Sequence, residues 1–504
     1  MALLQSIPPP VVWAVLTGVA CFALYSVFNS PSIKRNGQSL RRAPDALPLI
    51  GNGLLFLRDR FVLFDWFTRC ERRFSYETLQ ISVPTLPPGV VVSSAANVDY
   101  VLKHVGIFSK GDFFKQRSWD LFGYGIINVD GDLWRLQRRA GLAFLSAANL
   151  KALTETELPR ILKTSLAELR QNAHDTSTVD LQEFFHEITT QLMGHMAYGM
   201  EMHAGDDFTQ AFEYASGVTA ERVQNPLWRL TELITGRQMR ASIAVVHQYG
   251  HQIVANATAA RRKARARGSP VSGGGGSLIH SLLDSIGDEK IVADAALNYL
   301  SAGRDTTAQA LTWVFFLLAQ HADVVACLRA EIAALTGPPS VQELPYTLAV
   351  FYETLRLYPP VPFELKQAEE PTTLPDGTFL PAKSIVLWCP WAMNRSFSTW
   401  GDDADEFRPS RWLTLDEKGG PRVLSRSAAE FPVFNGGPRT CLGKKMAEAV
   451  AVRVIADVVQ TFDVHLCCGT DRRSGSSLTL PMEGGLPCQV SLCNDKVPPP
   501  GSYL

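Results

Sequence analysis

The residues with the most chemistry to offer lie in one short stretch, Phe431-Pro-Val-Phe-Asn-Gly-Gly-Pro-Arg-Thr-Cys441-Leu-Gly-Lys. Within it Phe434, Gly437, Arg439, Cys441 and Gly443 follow the spacing F-x-x-G-x-R-x-C-x-G. The pattern reads as a loop that delivers a cysteine to the start of a helix. There the partial positive charge and the free N–H groups favour a thiolate. Such a thiolate suits haem iron, because it pushes electron density to the metal and favours O–O cleavage. Gly437 and Gly443 would let backbone approach a flat macrocycle. Arg439 would pair with a propionate, and Phe434 would keep water off the sulfur. The plainer reading is a small buried thiol; five fixed positions in one short loop tell against it.

A second cluster sits inside an apolar stretch that predicts one long helix over 290–320. Its centre reads Ala302-Gly-Arg-Asp-Thr-Thr307. Small residues, an acid and two hydroxyls are poor choices for a helix interior. A glycine there gives room for a flat ligand or O2. A threonine hydroxyl can bond back to the i−4 carbonyl, and the acid beside it can pass protons inward. Further charges recur at useful spacings. Trp134 and Arg138 are i and i+4 on a helix opened by Asp130-Gly-Asp, so an indole N–H and a guanidinium share a face. They would bind carboxylates, or simply cover a basic surface. Glu353 and Arg356 lie at i, i+3 within the apolar run Leu348-Ala-Val-Phe-Tyr-Glu-Thr-Leu-Arg-Leu-Tyr. That pair is expected to be buried and to need further partners.

Taken together these stretches resemble the cytochrome P-450 family, and the resemblance covers nearly the whole chain. It implies a haem b cofactor with Cys441 as axial thiolate and sole metal ligand. Asp305 and Thr306 would be the acid–alcohol pair that manages protons. Trp134, Arg138 and Arg439, with Lys366 as a further candidate, would hold propionates. Glu353, Arg356 and Arg411 would form a structural lock behind the haem. The substrate cavity would be walled by Phe113, Phe114, Phe122, Ala302, Val361, Phe363 and Leu480, the last on a hairpin beginning at Leu478. The segments Ala211 to Ala215 and Ala220 to Trp228 would lie over the site. The implied activity is NADPH-dependent monooxygenation. Detail in the Trp134, Val361–Lys366 and Phe434–Lys444 stretches is closest to the fatty-acid and alkane ω-hydroxylases of the microsomal class. A terpenoid or other specialised apolar metabolite is the alternative substrate. A non-catalytic haem-binding membrane protein, or a reductase-independent hydroperoxide isomerase or dehydratase, would have no need of the acid–alcohol pair.

The elements that must position these residues also read from the chain. Of 504 residues, 46% are hydrophobic, enough for a large core. The formal net charge of −1 suggests no nucleic-acid partner. The nine cysteines show neither disulfide-framework nor metal spacing, which fits a reducing compartment. Length alone favours several domains, but groups from Trp134 to Gly443 must converge on one cofactor. We therefore expect one mainly α domain with a small β region over 45–504, with a flexible Gly/Ser insert at about 268–277. Residues 11–28 carry no charge and at ~1.5 Å per residue would span about 27 Å. Lys34, Arg35, Arg41 and Arg42 follow them. Residues 1–44 thus read as a single-pass membrane anchor, rather than a cleaved signal, and a basic linker, with the catalytic domain cytosolic; the resemblance implies that the membrane is the endoplasmic reticulum. Ala43 to Asn52 reads as a stiff, extended connector, which the resemblance implies is a proline hinge orienting the domain on its anchor, and Leu79 to Val92 reads as a β-hairpin. The aromatic-rich stretch 105–127 shows little periodicity and reads as a loop. Residues 149–268 read as mostly helical, ending in a solvated basic run, Arg261 to Arg267. Lys444 to Thr461 reads as the helix that follows the cysteine. Without a flavin or nicotinamide domain in the length, electrons would come from a flavoprotein reductase.

Overall fold

The helix Glu289–Leu318 begins where Asp288 accepts the N–H groups of Lys290 and Ile291 at 2.9 and 3.1 Å, a side-chain cap for otherwise orphaned donors. From Ala295 to Leu318 every residue is buried except Ala302, Gly303 and Thr306. Helices Leu181–Met193 and Trp228–Ala266 pack against it, and Asp207–Gln224 packs on Trp228–Ala266. One hydrophobic cluster extends from Phe64 to Val490. The architecture is mainly helical with small sheets, the class expected from sequence. This computed structural model describes residues 32–83, 86–267, 277–417 and 419–493, with Pro10, Ala14, Thr17 and Gly18.

Most of the segment 11–28 expected to cross a membrane and nearly all of the insert 268–277 lie outside the described residues. Among the described residues no single helix is long and apolar enough to cross a membrane. The eight described cysteines are all free.

The expected hairpin forms, with Leu79–Ile81 antiparallel to Gly89–Val91. It edges a five-stranded sheet that continues through Ile385–Trp388, Glu364–Ala368 and Phe108–Ser109. Gly89–Val91 pairs parallel to Ile385–Trp388, and Lys366 lies opposite Val386. The last strand leads into a helix, Gly111–Phe122, where sequence reading placed a loop. Its periodicity is hidden because the buried face carries Arg117 and Ser118 beside Leu121 and Phe122. The arginine is made tolerable there by donating to the carbonyls of Arg222 and Phe113, both at 2.9 Å. The basic run Arg261 to Arg267 closes the helix Trp228–Ala266, where cations complement the helix dipole.

Candidate active site

Two tight turns, Pro432–Phe434 and Gly437–Arg439, shape the cysteine loop. The Cys441 N–H donates to the Phe434 carbonyl at 2.7 Å, and helix Lys444–Thr461 starts three residues on. The N–H groups of Gly443 and Lys444 and the charges of Arg138 and Lys444 draw the thiol toward ionisation, but burial outweighs them and its pKa lies above the ordinary value. The helix start therefore offsets part of the desolvation and does not by itself give the depressed pKa expected from sequence. A coordinated cation would complete the deprotonation. Cys441 is enclosed on most sides yet keeps an open face.

The glycines act differently from expectation. Gly437 has φ +60°, and a Cβ there would lie 2.3 Å from the Leu102 carbonyl oxygen. A neighbouring backbone by itself demands its small size. A Cβ on Gly303 would lie 2.6 Å from Met193 Sδ, so that glycine makes room for helix Leu181–Met193. Only Gly443 has open surroundings, with Cys441 Sγ at 3.9 Å as its sole close neighbour.

Arg138 links the cysteine loop to the long helix. It donates to the Thr440 carbonyl at 2.9 Å, and its charge acts on both Cys441 and Tyr299. Tyr299 donates to the Gln137 carbonyl at 2.8 Å, one turn before Ala302 on the long helix. Ala302 is exposed there, and the Thr306 hydroxyl donates back to its carbonyl at 2.7 Å, the i−4 bond expected from sequence. Asp305 is buried and accepts from Arg304 Nε at 2.7 Å. Burial raises its pKa, with Arg304 acting the other way. His186 Nδ1 lies 3.9 Å from the same carboxylate; burial and Arg304 hold this histidine neutral, with a pKa lowered to about 3.

A second group of cations flanks Trp134. The guanidinium of Arg439 lies 4.7 Å from the ring centroid and that of Arg138 lies 5.6 Å away, so the indole is stacked by both. Arg439 also donates to Asp130 at 2.6 Å and to the Val129 carbonyl at 2.9 Å. Asp130 additionally pairs with Lys115 at 2.8 Å. Lys366 is 2% exposed and its Nζ has no hydrogen-bond partner. Its pKa falls to about 7, first through burial and then through Lys110 and Arg439. An orphaned buried amine beside the cations Lys110 and Arg439, with Asp130 already shared by Arg439 and Lys115, calls for a further anion. The carboxylates of a porphyrin meet that need, and the open face of Cys441 offers the soft donor its iron requires.

Behind this region Glu353 is completely buried. It accepts from Arg356 Nε and Nη2, from Arg411 Nε and from Trp412 Nε1, all at 2.8 Å, and from the Arg408 N–H at 2.9 Å. Arg356 Nη1 donates in turn to the Asn394 carbonyl at 2.7 Å. These bonds tie helix Pro345–Leu357 to the turn Pro409–Trp412.

With this geometry in place, comparison with known proteins is decisive. A family model described as cytochrome P450 matches residues 42–483. The chain belongs to the cytochrome P450 family. Its relatives include P450 94B1 of Arabidopsis thaliana, 30% identical over 94% of this chain and 96% of that protein. P450 94A1 of Vicia sativa is 29% identical over 89% of this chain and 90% of its own. P450 monooxygenase cyp1 of Mycosarcoma maydis is 30% identical over 90% of this chain and 75% of its own. A cytochrome P450 binds haem through an axial cysteine thiolate, here Cys441. It acts as a monooxygenase on an apolar substrate and takes electrons from a redox partner.

The expected pocket residues divide. Phe113, Phe114 and Val361 are half-buried and Ala302 is exposed. Phe122, at 5% exposure, and Leu480, at 0%, belong to the main core and do not line open space. Leu480 is fixed by its backbone, whose N–H donates to Gln309 and whose carbonyl accepts from Trp313, both at 2.9 Å. Phe363 packs its ring on Phe64 and Phe67, at 5.1 and 5.2 Å between centroids, which directs it at helix Arg60–Phe74. Sequence reading missed Asp130, Arg304 and Trp412. Asp130 carries the look of a helix cap, but its side chain makes no cap bond and is taken by Arg439 and Lys115.

Proposed function

We propose that this cytochrome P450 hydroxylates the terminal or near-terminal carbon of a fatty acid, with electrons from an NADPH-dependent flavoprotein reductase. The observation that carries the oxygen chemistry is the adjacency of Asp305 and Thr306 at the break in the buried run from Ala295 to Leu318. Haem held by Cys441 supplies the activation of O2. Thr306 spends its own proton on the Ala302 carbonyl, so its lone pairs accept from a water on the open side. Asp305 is the proton store one residue away. Arg304 holds it in place and reaches outward, donating to Thr209 at 3.0 Å and lying 3.8 Å from the exposed Glu213. That line ties the Asp305 carboxyl to the solvent side of the protein. Trp134, Arg138, Arg439 and Lys366 hold the carboxylates of the macrocycle.

Similarity over nearly the full length to P450 94 proteins supports an extended apolar substrate, as do the half-buried Phe113, Phe114 and Val361. The membrane reading has independent support. Leu230, Leu233 and Ile234 are 62–85% exposed, and Leu47, Leu49, Ile50, Leu54 and Leu57 are 43–61% exposed. Gln224 joins the two segments by donating to the carbonyls of Phe56 and Arg58 at 3.2 and 2.6 Å. Such a patch suits a domain resting on the endoplasmic reticulum membrane beside an anchor at 11–28. The deciding experiment reconstitutes the full chain with reductase, NADPH and a panel of fatty acids. Oxygenated carbons are then located by mass spectrometry. Terminal or near-terminal hydroxy acids are expected; their absence, with a normal haem-thiolate spectrum, refutes the substrate assignment.

A further inference from the structure

A line of aromatic rings leads from the cysteine loop into the protein on the side of helix Pro345–Leu357. Phe434, whose carbonyl accepts the Cys441 N–H, lies 6.3 Å from Tyr352, centroid to centroid. Tyr352 lies 5.3 Å from Trp412, and Trp412 lies 5.4 Å from Trp400. None of the oxygen chemistry described above uses these rings. They differ sharply in their ability to give up an electron. Trp400 sits under two guanidiniums, Arg426 at 4.7 Å and Arg356 at 5.3 Å, whose charge opposes a radical cation. Trp412 donates its N–H to Glu353, but that carboxylate is already committed to two arginines and has no capacity for a proton. Phe434 has no proton to release. Tyr352 alone has a dedicated base, since its hydroxyl donates to a Glu448 carboxylate oxygen. A cation, Lys444, lies 3.8 Å from that carboxylate and 5.7 Å from the Tyr352 ring centroid; because the phenol gives its proton to Glu448, the Tyr352 radical is neutral, and the ammonium opposes it less than two guanidiniums oppose a Trp400 radical cation.

We propose that Tyr352, with Glu448 as its proton acceptor, is a one-electron donor to the haem that discharges oxidising equivalents when no substrate receives them. The proposal rests on Cys441 holding the haem. The electron leaves the Tyr352 phenol and passes through the Phe434 ring and carbonyl, then across the 2.7 Å hydrogen bond to Cys441. The phenolic proton moves to Glu448 at the same time. The products are a neutral tyrosyl radical, a neutral glutamic acid and a haem centre one electron less oxidised. The oxidant is a hydroperoxide, which overall takes two electrons and two protons and leaves as one water together with a second water or an alcohol; Tyr352 supplies the electrons one at a time, being restored between them, and Glu448 releases its proton after each. A one-electron reductant such as ascorbate resets the radical by returning an electron and a proton. Burial and Glu448 both raise the phenol's pKa, so in the resting protein it keeps its proton and the pair is poised.

The test mixes substrate-free, haem-loaded protein with hydrogen peroxide, freezes the mixture within milliseconds and records its electron paramagnetic resonance. A tyrosyl signal is expected, narrowing when the protein is made with ring-deuterated tyrosine. It should be lost in Tyr352→Phe, which keeps the ring and its packing, and reduced in Glu448→Gln. Tyr76→Phe, an exposed site outside this line of rings, should leave it unchanged. A spin trap followed by peptide mapping of the unmodified protein provides a readout that needs no variant, with the adduct expected on the peptide containing Tyr352. No tyrosyl signal, a signal surviving Tyr352→Phe, an unaltered yield in Glu448→Gln, or an adduct only elsewhere overturns the proposal. Failure of the haem assignment would show separately, as absence of the thiolate absorption band in the reduced carbon monoxide complex.

Discussion

Replacing Lys366 by methionine should make the haem-free protein more stable and the haem-loaded protein leakier. The amine is 2% exposed, without a hydrogen-bond partner, and titrates at about 7 against 10.5 for an ordinary lysine. The gap corresponds to a penalty of ~5 kcal/mol on the protonated form in the folded state. The sign follows from proton counting. Between these two values the unfolded chain holds the proton and the folded chain has released it, so stability rises with pH through that window. Below about 7 both states are protonated and the folded protein bears the full penalty. Methionine keeps the volume and removes the charge. In haem-free protein, urea denaturation should show the variant ahead by ~3–5 kcal/mol near pH 6, with the advantage shrinking toward pH 10. In haem-loaded protein a carboxylate beside the ammonium reverses the logic, because an opposite charge a few ångströms away restores the charged form. Haem should then leave the variant faster than the parent when transferred to apomyoglobin. A haem-free variant no more stable than the parent near pH 6, or equal transfer rates, would refute the reasoning.

Other residues yield separate tests. Glu353→Gln sets an amide N–H against guanidinium or indole donors whichever way it turns, because both carboxylate oxygens face donors only. Breaking such a buried network should cost ~3–5 kcal/mol, visible as a lower denaturation midpoint and poor haem incorporation. Asp305→Asn should lower NADPH-driven turnover by roughly a hundredfold and enlarge the solvent isotope effect, with peroxide-driven turnover much less affected. An equal loss by both routes would remove Asp305 from proton delivery. Gly437→Ala combines left-handed strain with a Cβ 2.3 Å from a backbone oxygen. It should destabilise by ~2–5 kcal/mol, measured by thermal unfolding, even in protein prepared without haem. Stability equal to the parent would return Gly437 to the role of macrocycle cradle.

Why some of this was legible in the sequence and some was not comes down to the distance over which each constraint acts. The Thr306 bond to Ala302 spans four residues of one helix, and Glu353 with Arg356 spans three. Such constraints are written locally, as a hydroxyl in a helix interior or a charge pair in an apolar run. The Cys441 loop is legible for the same reason, since its turns and the following helix lie within one stretch. Gly437 and Gly303 look like room for a cofactor because a local reading sees only the missing side chain. The space belongs to Leu102 and Met193, brought in from remote parts of the chain. Asp130 shows the same effect in charge. Placed before Gly131 it has the form of a helix cap, yet Arg439 outcompetes the backbone for its carboxylate because a guanidinium bond is stronger than a bond to an N–H. The sorting of Phe122 and Leu480 into the core, while Phe113 and Phe114 stay half-buried, likewise depends on which helix covers each ring. The residues proposed to do chemistry announced themselves because chemistry puts polar groups where helices do not want them. The residues that aim them stayed hidden because they satisfy ordinary packing, and their role appears only when the neighbours they make room for are known.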